Sequence, residues 1–327
     1  MADVALLAGV STATVSRALR RAEAVSPQLR ERVLRAVDTL GYVPNPAAGG
    51  LAAARTRTVG VIVPSLVNSF FAATLDAMAE RLAPRGYQIM LGNSAYSQDA
   101  EDALVNSLLS WSPAAIVLTG QAHSRATLQR LLGAGIPVVE MWELGENPLD
   151  SLVGFSHRAV GRLAARHLLD RGRRRIAFVG AALDEDRRAA QRGAGFAEVV
   201  RESLGATPLI VSLPQRASAA TGGRALADLL ERRPDVDGVA FSNDAMALGG
   251  LFECQRRGLR VPERLALIGF GDLDFAAWSA PALSTIRPPR REIGLAVADH
   301  LLQRFDDPSA GPTTIDVGFE LVPRAST

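Results

Sequence analysis

The side chains with most chemistry to offer in this sequence are arginines. All 36 basic residues are Arg and none is Lys, and a guanidinium presents a planar fork of donors that matches phosphates, carboxylates and base edges. A chain-wide absence of Lys reads as coding bias, so function has to be sought in where the arginines sit. Residues 1–57 hold eight Arg against four acids, a net +4, whereas the remaining residues sum to −2. Within the basic segment, helical spacing puts Thr12, Ala13, Ser16, Arg17 and Arg20 on one face and Val15, Ala18 and Leu19 on the other. A polar, cationic face of this kind fits the DNA major groove. A plain three-helix bundle with a solvated basic face would carry the same charge; the very short turn at Gly9 and the weakly apolar 12–17 face favour DNA.

The elements that must position this face are short helices. Residues 3–8 read as a first helix, Gly9 as a turn needing positive φ, and Ser11 as the cap of a second. Ser26 and Pro27 open a third helix, whose predicted core stripe is Leu29, Val33, Val37 and Leu40, with Gly41 ending it. Residues 1–43 are thus expected to form an all-α helix-turn-helix domain. After residue 57 the pattern changes. Short β-branched runs at 59–63, 88–91, 115–118, 138–140, 176–179, 209–211, 239–241 and 265–270 alternate with amphipathic helical stretches, which predicts doubly wound parallel sheets. A length of about 270 residues suits two such lobes better than one.

Other chemistries find little support. His123, His157, His167 and His300 have no metal-ligand spacing with one another or with Cys254. There is no phosphate-binding Gly-rich loop after a strand and no nucleophile elbow. Glu140 and the charged cluster 184–188 read as solvated or cleft-lining groups, and Cys254 as core. No metal, cofactor or catalysis is therefore expected. No apolar run reaches the ~18 residues of a membrane span, the first residues lack a secretory pattern, and a single Cys suits a reducing compartment. A cytoplasmic location follows as the expectation.

The wording of the sequence is more specific than its pattern. DVALLAGVSTATVSRAL, VSPQLRERVLRAVDTLGYVPN and TVGVIVPSLVNSFF at the start, then RRIAFVGA, SNDAMALG, GLRVPERLALIGFGD and PALSTIRPP further on, resemble the lactose-repressor-type (LacI/GalR) family of bacterial transcription regulators over essentially the whole chain. LLSW at 108–111, AGIPVVE at 134–140 and FECQRRGLRVP at 252–262 are most similar to the gluconate-utilisation repressors.

The resemblance implies a dimeric regulator with a two-lobed effector-binding and dimerisation domain of the periplasmic-binding type at 58–327. Lobe one would take about 58–155 and 287–316, and lobe two about 156–286 and 317–327. By the same likeness Thr12, Ala13 and Arg17 would read base edges of an operator, and Thr14 and Ser16 would hold phosphates. Segment 44–57 would be a hinge helix capped by Asn45, with Leu51 as a minor-groove wedge. Gly49 and Gly50 depart from that pattern, and each interior Gly costs about 1 kcal/mol against Ala, so a hinge ordered only on DNA is expected; a plain linker is the alternative. Only two residues precede Asp3, fewer than is usual in the family, which suggests a late start codon.

For the effector, the resemblance points to Arg192 as the gripping residue and to Asn243, Phe71, Phe155, Thr119 and His123 as further contacts, a solvated loop histidine being an equal reading of His123. Asp272 matches the second acid of a family pattern whose first is Gly271 here, and Trp142 stands where many relatives carry an acid. Losing acids around a retained Arg favours an anionic ligand, so a sugar acid such as gluconate, a ketogluconate or a phosphorylated form is expected. A neutral-sugar regulator is the alternative, and a solute-binding protein a more distant one.

Overall fold

The computed structural model describes residues 1–20, 22–42, 56–66 and 70–327, and the chain divides into two compact units, Met1–Thr56 and Arg57–Thr327. The first contains helices α1 (Ala2–Ala8), α2 (Thr12–Arg20) and α3 (Pro27–Leu40). Gly9 takes φ 62°, and the chain reverses there with Val10 N–H donating to the Ala5 carbonyl at 2.9 Å. Ser26 Oγ accepts from Leu29 N–H, with Pro27 as the first helical residue. The core is Val4, Ala5, Ala8, Val15, Ala18, Val33 and Ala36, with Leu19 and Val37 at its edge. The predicted stripe on α3 is corrected at its end: Leu40 is 45% exposed. Partner helices of seven and nine residues are too short to cover the whole of a fourteen-residue helix.

The second unit contains two six-stranded sheets. One has the order β11-β5-β4-β3-β1-β2, the other β12-β10-β9-β8-β6-β7, and every pairing is parallel except β10 with β12. The first is built from β1 (Thr58–Val63), β2 (Gln88–Asn93), β3 (Ala115–Thr119), β4 (Val138–Met141), β5 (Ser151–Gly154) and β11 (Thr314–Asp316). The second holds β6 (Ile176–Ala181), β7 (Leu209–Leu213), β8 (Gly238–Phe241), β9 (Ala266–Phe270), β10 (Ser284–Arg287) and β12 (Glu320–Val322). The eight apolar runs in the sequence are all strands here; β5, β10, β11 and β12 are additional. Central strands such as β3, β6 and β9 are buried along their whole length, as parallel sheets covered on both faces require.

The chain crosses between sheets three times: after β5, after β10, and between β11 and β12. Helices α4 (Ala72–Leu82), α5 (Gln98–Ser110), α6 (Arg125–Ala134) and α11 (Arg290–Asp306) belong to the first lobe; α7 (His157–Asp170), α8 (Arg187–Leu204), α9 (Ala219–Arg232) and α10 (Asp244–Arg256) belong to the second. Helices α7 and α8 pack backbone against backbone. A Cβ on Gly161 would lie 1.8 Å from the Arg192 carbonyl oxygen, and one on Gly195 2.0 Å from that of Arg158. This contact sets His157, the first residue of α7, beside the side chain of Arg192 on α8. Among the described residues no single helix is long and apolar enough to cross a membrane.

Replacing Gly161 by Ala forces the two helices apart and should lower stability by about 1–3 kcal/mol. Urea denaturation followed by circular dichroism measures it; an unchanged midpoint would show that the helix contact has slack.

Candidate functional site

In the first unit Thr12, Ala13 and Arg17 are exposed on α2, while Thr14 and Ser16 are partly covered. Ser11 begins the helix as its sequence suggests: Thr14 N–H donates to Ser11 Oγ at 3.2 Å, and the two hydroxyls lie 2.9 Å apart. Arg17 Nη2 donates to Thr14 Oγ1 at 3.4 Å, which lays the guanidinium along the exposed face. The five residues thus share one short helix that begins just after a tight turn, the arrangement a groove-reading helix needs. Asn45 and Leu51 lie outside the described residues.

In the second unit the carboxyl ends of the parallel strands of both sheets face a common cleft, where ligands bind in open α/β sheets. From lobe two, α8 carries Arg192 into it. The residue is 5% exposed, and each neighbour its guanidinium meets is neutral. Nη1 donates to His157 Nδ1 at 2.9 Å, Nη2 donates to the Ser242 carbonyl at 2.9 Å, and the plane lies 4.2 Å from the Phe270 ring centre. Burial pushes its pKa down to about 10, against the pull of Asp186. His157 is fixed by the same contacts. Burial and then the Arg192 charge hold its pKa well below 6.5, so its Nε2–H donates to the Trp142 carbonyl at 2.8 Å and Nδ1 accepts from Arg192.

Around this cation stands an aromatic cluster. Trp142, at the end of β4 with φ 69°, lies edge-on to Phe71 at 5.1 Å and to Phe155 at 6.1 Å; Phe70 stacks on Phe270 at 5.9 Å. Two buried donors here have no hydrogen-bond partner among the described residues: Arg192 Nε and Trp142 Nε1. A buried N–H left unsatisfied costs about 1–3 kcal/mol, so each is a demand for an acceptor. One belongs to each lobe.

Outside the aromatic cluster lies a polar pocket with room of about 80 Å³, lined from lobe one by Ser94, Tyr96, Ser97, Thr119 and Glu143 and from lobe two by Arg188. Cross-lobe bonds close over it: Arg188 Nη1 donates to the Thr119 carbonyl at 3.2 Å, Arg216 Nη2 to the Ala95 carbonyl at 2.7 Å, and Gln191 to the Glu143 carboxylate.

Of the effector residues read from the sequence, Arg192, Trp142, Phe71 and Phe155 come together in the inner cluster, and Thr119 lines the outer pocket. Thr119 Oγ1 is committed to the Ile62 carbonyl at 3.0 Å, so its backbone is what faces the cleft. Asn243 is a helix cap whose Oδ1 accepts from Met246 N–H at 3.0 Å, which leaves its amide N–H groups as the part able to meet a ligand.

Two further expectations are corrected. Both Asp272 oxygens are held, by Arg287 at 2.6 Å and Arg324 at 2.7 Å; although burial opposes it, these two cations keep the carboxyl below its ordinary range, and it is a tie between strand ends rather than a ligand contact. His123 is neither solvated nor free. Its Nδ1 meets Glu101 at 2.6 Å, and its Nε2 meets the Gly120 carbonyl at 3.0 Å and Glu140 at 3.3 Å. Glu140 is correspondingly buried, not a solvated loop charge.

The sequence reading missed His157, Phe70, Phe270 and Glu143, none of which carries a local signal. Arg188 belongs to the charged cluster 184–188, read as solvated or cleft-lining, and it lines the cleft. Asp244 was missed as well. It is fully buried and accepts from Leu273 N–H at 2.8 Å and Thr285 Oγ1 at 2.6 Å, and burial raises its pKa to about 6. Cys254 is core, with its thiol pushed up to about 11 by burial.

A helix-turn-helix unit followed by a two-sheet unit of the periplasmic-binding type defines a ligand-controlled DNA-binding regulator. Residues 1–45 match the family model of bacterial regulatory proteins of the lacI family, and residues 165–327 match a periplasmic binding protein-like domain. The chain is 41% identical over 326 residues to the HTH-type transcriptional regulator GntR of Pseudomonas aeruginosa, which spans 99% of this chain and 94% of that one. Its structure is similar to that of a LacI family transcriptional regulator from Silicibacter pomeroyi, with a TM-score of 0.93 at 36% identity over 99% of this chain and 98% of that one. It is also similar to the lac repressor dimer bound to operator and the anti-inducer ONPF, with a TM-score of 0.83 at 25% identity over 99% and 98% of the two chains. The chain belongs to the LacI family of bacterial transcription regulators. Its relatives are regulators and not enzymes, and neither is it.

The His123 bridge gives this unit a pH dependence. Burial works against protonation of the ring, but Glu101 and Glu140 outweigh it and raise the pKa from 6.5 to about 9. A raised folded-state pKa stabilises fully below the unfolded value and is lost as pH rises through the folded one. Stability should therefore fall by about 2–3 kcal/mol between pH 6.5 and 9, and His123→Gln should flatten that slope. Asp244 titrates below this window. Urea midpoints measured across the range provide the check, and an equal slope in the variant would remove His123 as the cause.

Proposed function

We propose that this regulator is a cytoplasmic repressor of sugar-acid catabolism genes that binds a pseudopalindromic operator as a homodimer and takes an anionic sugar acid, such as gluconate, as its effector. The observation that carries the effector class is the buried Arg192 guanidinium, whose contacts are a neutral imidazole, a carbonyl and a phenyl ring. Burying a cation with no carboxylate in contact costs several kcal/mol, and a carboxylate at this point would relieve that cost while accepting from Arg192 Nε and Trp142 Nε1. A neutral sugar would satisfy the donors but not the charge. The similarity of several segments to gluconate-utilisation repressors supports the same choice.

At the DNA end, Thr12, Ala13 and Arg17 would read bases, with Arg17 making a bidentate guanine contact, and Thr14 and Ser16 would hold phosphates. Segment 44–57, with Asn45 and Leu51, would join two subunits over the minor groove. Effector binding across the lobes would alter the subunit arrangement and so the operator affinity, a coupling of about 1–3 kcal/mol.

Two measurements test this reading. In a thermal-shift series gluconate should raise the melting temperature and glucose should not, and Arg192→Met should lose the response; stabilisation by neutral sugars alone would refute the anionic effector. On an operator selected from a random DNA pool, Arg17→Ala should cost about 1–3 kcal/mol and much less on unrelated DNA. Equal losses on both would make Arg17 a phosphate contact.

A further inference from the structure

The outer pocket holds a second unpaired charge, opposite in sign to the first. Glu143 follows Trp142 directly and is buried, yet its hydrogen-bond partners among the described residues are neutral, Gln191 Nε2 and the backbone N–H of Gln121, the latter at 3.3 Å. The other acids at this pocket are matched: Glu101 by His123 and Glu185 by Arg216 at 3.1 Å. Opposite Glu143 stands Arg188, whose one hydrogen-bond acceptor among the described residues is the Thr119 carbonyl. The two converge over Gly120. A Cβ at that glycine would lie 2.8 Å from Arg188 Nη1 and 3.0 Å from Glu143 Oε2, so the glycine is what lets both side chains approach the same stretch of backbone, and both line the pocket beside it. Arg188 is one turn before Arg192 on α8 and close enough for its charge to act on that guanidinium.

A group placed between a guanidinium donor and a carboxylate acceptor must accept and donate at once. A hydroxyl does both. A phosphate dianion only accepts, and it would press its charge against a buried carboxylate, a repulsion strengthened by low local dielectric. We propose that this pocket is a hydroxyl subsite, in which Arg188 and Glu143 take the polyol end of an open-chain sugar acid whose carboxylate lies at Arg192, and that Glu143 rejects the phosphorylated form of the same acid. This rests on the anionic-effector reading above and narrows it from sugar acids in general to unphosphorylated ones. The inner cluster supplies the charge match, and the outer pocket supplies the discrimination.

Titration calorimetry with the full-length protein, gluconate and 6-phosphogluconate tests it. The unmodified protein should bind gluconate at least tenfold more tightly than its phosphate. Glu143→Gln keeps the size of the side chain and one acceptor oxygen but removes the charge; it should shrink that ratio at least fivefold, chiefly by tightening the phosphate. Arg188→Gln should weaken gluconate at least fivefold. Equal or tighter binding of the phosphate by the unmodified protein would overturn the subsite while leaving the anionic reading intact, as would an unaltered ratio in Glu143→Gln. Binding of neither acid, with a neutral sugar binding instead, would overturn both.

Discussion

The arrangement of the second unit depends on one buried cation. Arg192 is removed from water, meets no carboxylate, and is held by contacts with elements distant in sequence: His157 on α7, the Ser242 carbonyl after β8 and the Phe270 ring at the end of β9. Each contact is possible because another part of the fold has been fixed first. His157 can accept from Arg192 only while its other nitrogen donates to the Trp142 carbonyl, which ties the imidazole of lobe two to the backbone of lobe one. Helix α7 can bring His157 that close only because Gly161 and Gly195 let two backbones touch. The site is therefore a property of the helix packing as much as of the residues that line it, as preorganised binding sites generally are.

What the sequence made legible follows from how locally each feature is determined. Six of the eight strands read from the sequence are buried parallel strands, which appear as continuous apolar runs; β2 and β7 are edge strands that were legible from their short apolar runs. The other four were hidden for two reasons. β11 and β12 are three-residue edge strands, TID and ELV, with no periodicity to read. β5 and β10 are buried but spelled SLVG and STIR, and their burial comes from neighbours rather than from composition. The helix-turn-helix was legible from Gly9, Ser11 and Ser26 because capping is a matter of a few adjacent residues.

The cleft was legible only where a motif marked it. Arg192 and Trp142 could be named, but their partners could not. His157 at a helix start and Phe270 at a strand end look like unremarkable fold residues until the opposite wall is seen. His123 shows the reverse failure. Its loop context suggests solvent or ligand, yet Glu101 and Glu140, separated from it by 22 and 17 positions, converge on it and turn it into a buried charge bridge. Asp272 was likewise assigned by motif and taken out of the cleft by two arginines that no local pattern connects to it.

The placement of the unsatisfied donors bears on how such a unit can respond to a ligand. A ligand shifts a conformational equilibrium only by binding one state better than the other. Hydrogen bonds that bridge the lobes here include those from Arg188, Gln191 and Arg216 and the one from His157 to the Trp142 carbonyl. At about 0.5–1.5 kcal/mol each, their sum is of the same order as the few kcal/mol that separates states of an allosteric protein. Trp142 Nε1 belongs to lobe one and Arg192 Nε to lobe two, so an acceptor that meets both does so only while the lobes are together. Separating the lobes returns both donors to water, where they need no partner. The interaction energy of such an acceptor is therefore almost wholly differential between the two states, and a cleft with one unmet donor on each side is suited to being switched by a small ligand that accepts from both.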